Sequence, residues 1–301
     1  MNEIFDKLII RVLFTLFICF ALFIYKYAHV LFYPSKKKQV LKRIYPSENY
    51  IDTLHIFSRL VGIALIFSTL EFNEYIGISI SSLHFFIWSF VGIIFYLISL
   101  WILENIIFYN FEYKDEVLKK KNPAYGIVSF ANAICCAFII RTVFKESENS
   151  IVILIILWLF ALVIFGFATR LFRYMAQLSF NSLMIQKNLG LALAYSGFLF
   201  GNTVLLKAIF SHEHHDITSY MVQVILKVLL ALIILPIFRY GILYIFKIEE
   251  AIITKKEKKT PSTEPVHLGY GIYIGMIYLT SALLTSIIIS QIHFGTIYPF
   301  F

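Results

Sequence analysis

Residues 114–143 read KDEVLKKKNPAYGIVSFANAICCAFIIRTV, and this stretch decides the fold. Four lysines, Lys114, Lys119, Lys120 and Lys121, lead into Asn122 and Pro123, after which no charge appears until Arg141. Asn suits a helix N-cap because its side-chain oxygen accepts an orphan backbone N–H, and Pro suits the first helical position. An apolar helix of about 20 residues is what crosses a hydrocarbon core roughly 30 Å thick. The stretch therefore reads as a basic connector followed by a transmembrane helix over 123–143.

The rest of the chain repeats that reading. Apolar residues make up 59% of the 301 residues and charged ones 15%, against about 45–50% and about 25% in soluble globular chains. Long apolar runs predict helices at 8–33, 51–70, 81–110, 123–143, 150–174, 189–210, 218–246 and 267–292. They lack the short alternating segments of a barrel, and in lipid each must satisfy its own backbone. The fold class is an all-α integral membrane protein, with eight transmembrane helices built from four two-helix repeats. The first apolar run passes Tyr33 with no Ala-x-Ala site before it, which predicts a retained helix and not a cleaved signal. Cys19, Cys135 and Cys136 lie inside apolar runs and offer neither a disulfide framework nor a metal spacing.

The connectors separate by charge, which accounts for the net charge of +8 without nucleic acid. Those after helices one, three, five and seven are basic, with Lys36 to Lys38, Lys119 to Lys121, Arg170, Arg173 and Lys187, and then Lys255 to Lys259 around Glu257. The alternate connectors hold Glu71 and Glu74, then Lys145, Glu146 and Glu148, then His212 to Asp216. The positive-inside rule makes the basic group cytoplasmic and places both termini outside the cytoplasm. Tyr25, Tyr27, Tyr33, Tyr109 and Tyr113 mark the same ends as an interfacial aromatic belt would.

Each unit is a helix, a basic connector and a returning helix. The returning helices open at Asn122-Pro-Ala-Tyr-Gly, Asn188-Leu-Gly-Leu-Ala and His267-Leu-Gly-Tyr-Gly, with Asp52-Thr-Leu-His-Ile as a weaker fourth. Val117-Leu118 and Leu183-Met184 lie five and four residues before Asn122 and Asn188, and Lys121 and Lys187 immediately before them. Gly197 and Gly201 follow in one unit, Gly271 and Gly275 in another. Such glycines read either as close helix packing or as the lining of a substrate path. Two crossings per unit make the repeat parallel, with any symmetry axis along the membrane normal.

A helix, a polar connector ending in Asn and an Ala/Gly-rich helix, twice in four crossings, resembles the bacterial membrane-protein family known as domain of unknown function 350. The motif is clearest at 84–142 and 151–210, while His267 stands where the family has Asn and the first unit offers only Asp52 and Gly62. The resemblance implies two tandem four-helix copies, 1–146 and 147–301, in a bacterial inner membrane. It also implies a setting of envelope stress or membrane remodelling, with a membrane-protein partner or a homo-oligomer beside the lipid bilayer.

Candidate chemistry is sparse. No nucleophile elbow, phosphate loop or paired carboxylates appear, which points away from an enzyme and implies no cofactor. His212-Glu213-His214-His215-Asp216 is dense in potential metal ligands, but neighbours on one short loop do not set converging geometry. Intramembrane charge carries more weight, because it is costly unless paired or wet. Lys227 falls near mid-membrane with Gln223 one turn away and Pro236 beyond, which reads as a polar interior site or as a stem snorkelling to the interface. Arg141 and Lys207, near the outer helix ends, read as snorkelling. Arg59 and Glu104 fall at one level on successive helices and are expected to pair. The functions in view are a scaffold or partner protein and, alternatively, a small transporter or channel with a site near Lys227.

Overall fold

The computed structural model describes residues 2–41, 46–70, 77–147, 150–211, 217–247, 265–292 and 294. Among them are ten α-helices: α1 (Asn2–Phe32), α2 (Lys37–Leu41), α3 (Tyr50–Phe67), α4 (Ile78–Ile107), α5 (Pro123–Glu146), α6 (Ile151–Ala176), α7 (Phe180–Ile185), α8 (Leu189–Phe210), α9 (Ile217–Ile245) and α10 (Leu268–Gln291). All but α2 and α7 are long and apolar enough to cross a membrane. The eight spans match the sequence reading to within a few residues, apart from α1, which begins earlier. The short α2, α7 and a π-helical turn at Lys114–Lys119 were not legible, because elements this short show no periodicity.

The four returning helices form the central row, in which α5 and α8 are the most enclosed. α3 packs on α5, α5 on α8 and α8 on α10, in a parallel row, while α4, α6 and α9 flank it and α1 lies against α4. Composition explains the division. Each of α1, α4, α6 and α9 is more apolar than any of the four returning helices, and the most apolar surface is left for lipid. Phe14 and Phe17 of α1 meet Phe85 and Phe86 of α4 edge to face at 5.0 and 5.1 Å, fixing α1 on the flank.

Because lipid is as apolar as leucine, helices in a membrane gain by close contact and not by hiding from water. The closest approach is between α8 and α10. A side chain at Gly197 would strike the Gly275 backbone, one at Gly271 would strike Gly190, and one at Gly275 would stand 2.6 Å from the Leu193 carbonyl oxygen. Of the two readings of these glycines, the geometry is that of backbone-to-backbone packing.

Candidate functional site

The densest buried polar constellation lies between α1, α3, α4 and α5. Arg59, ten residues past the α3 cap, is 1% exposed, and its Nη2 donates to Glu104 Oε1 on α4. Nη1 donates to the His55 carbonyl one turn back at 2.7 Å, and the Tyr33 ring lies 6.0 Å from the guanidinium carbon. Charge pairing and these contacts hold a group that would otherwise be very costly at this depth. Tyr96 packs beside the pair, donating from its hydroxyl to the Ala133 carbonyl at 3.2 Å. Room for that ring comes from Gly62, where any Cβ would collide with the Tyr96 hydroxyl.

A polar line continues from this pair toward the connectors. His55 Nδ1 shares a 2.8 Å hydrogen bond with Ser129 Oγ of α5, and its ring lies 4.7 Å from that of Tyr113. The Tyr113 hydroxyl in turn donates to Asp52 Oδ1. Burial first, and then the Asp52 carboxylate, push the Tyr113 phenol well above its ordinary pKa, so it remains a donor. His55 and Ser129 were missed by sequence reasoning, and Tyr113, read there as an interfacial belt residue, is buried; a histidine one turn before a buried arginine was the available signal.

The repeat motif forms a second constellation, across the connectors. Asn122 accepts from the Ala124 and Tyr125 amides at 3.0 and 3.3 Å, and Asn188 from Leu191 at 2.7 Å, as N-caps. In the first unit the expectation of Asp52 is corrected: Asn49 is the cap, accepting from Ile51 and Asp52 at 3.1 and 3.2 Å. Asp52 sits three residues on, inside the first turn, where a carboxylate favours the positive end of the helix. Each Asn also spends its amide on the next unit. Asn49 Nδ2 donates to the Val117 carbonyl, Asn122 Nδ2 to Met184 and Asn188 Nδ2 to Val266, at 2.9, 2.9 and 3.1 Å. Return bonds run the other way, from Lys121 Nζ to the Glu48 carbonyl at 3.3 Å and from Lys187 Nζ to Lys120 at 2.6 Å. Lys121 and Lys187 take left-handed φ values of 47° and 56°, and Lys187 closes a Schellman motif through Asn188 N–H to the Leu183 carbonyl. His267 caps α10 without any side-chain bond, and it ends the series.

The remaining residues stand apart. Lys227 of α9 is fully enclosed, and its Nζ has no hydrogen-bond partner among the described residues; the snorkelling alternative is not what the side chain does. Gln223, one turn away, is partly buried, and α9 runs on through Pro236 without ending there. Arg141 and Lys207 are exposed near their helix ends. The loop from His212 to Asp216 lies outside the described residues, and among those described no three His, Cys, Asp or Glu residues converge as metal ligands.

Two consecutive stretches, residues 3–144 and 147–289, match the family model described as Domain of Unknown Function (DUF350). No curated protein and no solved structure matches the chain.

Proposed function

The chain belongs to the DUF350 family, whose domain it carries twice in tandem, and from that premise we propose that it is a bacterial inner-membrane scaffold that holds a membrane-protein partner in envelope stress or membrane remodelling. The observation that carries this reading is the tying of charges and repeat units to one another. The deep Arg59–Glu104 charges are spent on each other, and the units are tied at their connectors by reciprocal side-chain to backbone bonds. An assembly held in this way favours presenting a fixed surface over alternating between two openings. The reading includes no enzymatic step. Crosslinking in mild detergent followed by mass spectrometry tests it: a reproducible co-purifying membrane protein is expected, and recovery of the chain alone under several extraction conditions would refute it.

The proposal places the basic connectors in the cytoplasm and both termini outside it, on the charge asymmetry. The contacts among Glu48, Lys120, Lys121 and Lys187 support it by gathering these connectors at one end of the bundle. A fluorescent reporter that matures only in the cytoplasm should be bright when inserted near Lys256 and dark at Phe301; the reverse pattern overturns the orientation.

A second reading, a small transporter or channel, is favoured by one observation. The Lys227 ammonium is enclosed with no hydrogen-bond partner among the described residues, as expected of a group that meets a transported anion or a proton. Ion and solute flux into liposomes, abolished by Lys227→Met, would select this reading over the scaffold.

A further inference from the structure

We propose that the cleft at the end of the bundle away from the basic connectors binds an anionic phospholipid. There α3, α5 and α8 end and α4 begins, leaving between them a cavity of about 1020 Å³. Its lining is divided by chemistry. Arg141, Lys145 and Lys207 stand near the helix ends with His84, while Phe85, Trp88, Phe138 and Phe200 line it further in. Arg141 is five residues from the end of α5 and Lys207 three from the end of α8, roughly 8 and 5 Å in at 1.5 Å per residue, which is headgroup depth. Among the described residues none of the three cations has a hydrogen bond or an ion pair. Glu146 is the one acid among the described lining residues, which are cationic on balance. Thr142 and Thr203 also line it, but their hydroxyls donate to the Phe138 and Leu199 carbonyls, which leaves recognition to charge.

The plainer account of these cations is compensation of helix dipoles at C-terminal turns, together with snorkelling. It explains why each cation is exposed. It does not explain why cations from two helices converge on one cavity with an aromatic floor. A phosphate diester pairs with guanidinium and ammonium groups, and its acyl chain is what a floor of Phe85, Trp88 and Phe200 accommodates. Free phosphate would satisfy the mouth and leave that floor wet, so the source we infer is the membrane itself.

Trp88 supplies the probe. The full chain carrying Trp101→Phe and Trp158→Phe is reconstituted in phosphatidylcholine vesicles doped with phosphatidylglycerol bearing brominated chains or, in parallel, with phosphatidylcholine so brominated. Brominated phosphatidylglycerol should quench Trp88 at a mole fraction lower by at least roughly fivefold, the gain of a single headgroup-level cation. Arg141→Gln, Lys145→Gln and Lys207→Gln together should remove the preference while thermal unfolding stays cooperative. If the triple variant does not fold, each single variant is read instead and should lower the preference. Equal quenching by the two lipids, or a preference untouched by these substitutions, overturns the proposal. Loss of the preference on adding inorganic phosphate at constant ionic strength would assign the cleft to a small anion and overturn the lipid.

Discussion

Removing Arg59 and Glu104 singly and together measures what the deep ion pair does. Glu104→Ala leaves a guanidinium that is 1% exposed and cannot lose its proton, still bonded to the His55 carbonyl. Arg59→Ala leaves a carboxylate that is 14% exposed, so it is the milder loss. Breaking a buried pair costs about 3–5 kcal/mol, with Glu104→Ala at the upper end. At about 2–4 °C per kcal/mol for a chain of a few hundred residues, each single variant should melt roughly 6–20 °C lower in detergent. The double variant strands no charge and should lose less than the sum, by about 2 kcal/mol of coupling. Replacing the pair by Arg59→Met with Glu104→Leu should come within roughly 1–2 kcal/mol of the parent, since apolar groups of similar volume often substitute for a buried pair at little cost. Thermal unfolding followed by intrinsic fluorescence across the four-variant cycle is the assay. Strict additivity, or a Glu104→Ala variant as stable as the parent, refutes the argument.

The repeat seam predicts a ranking at Asn188: Asn188→Asp keeps the cap and loses only the bond to Val266, so it should be milder than Asn188→Ala by about 1 kcal/mol in thermal unfolding. Gly197→Leu must push α10 from α8 and should abolish cooperative unfolding, whereas Gly269→Ala, which meets nothing within 4 Å, should be neutral or slightly stabilising. The Asp115 carboxyl is held below its ordinary pKa by its hydrogen bond from Lys119. Its small stabilisation is therefore complete above the ordinary carboxylate range and fades as pH falls through the lowered value. An NMR titration should show the Asp115 midpoint rising in Lys119→Ala.

The spans were legible because a bilayer imposes length and apolarity on every crossing, as 123–143 shows. The identity of the central helices was legible in principle, from the lower apolarity of the returning ones, but requires comparing segments and not recognising them. Depth placed Arg59 and Glu104 together because both are counted from the same interface. Asn49 was missed because Glu48 stands where the later units have Lys, while Asp52 offered a more obvious acidic cap. The seam itself could not be read, since its acceptors are backbone carbonyls at Val117, Met184 and Val266, and a carbonyl leaves no mark on the choice of side chain. The cleft was beyond sequence for a different reason: Arg141 and Lys207 belong to separate helices, and only packing brings them to one mouth.

The parallel repeat has a consequence for symmetry. Each matched copy crosses an even number of times and emerges on the face it entered, so Ser147 and Ser150, whose backbones are hydrogen-bonded, join two copies without an added crossing. Two identical unlinked copies would carry every interior charge twice or not at all. Joined in one chain, they are free to differ. Ten residues past Asn49 stands Arg59, and ten past Asn188 stands Phe198, buried edge to face on Tyr278 at 5.4 Å. One half of the molecule holds the ion pair and the other the glycine-backed contact, a division of labour that a symmetric dimer of a single four-helix unit could not make.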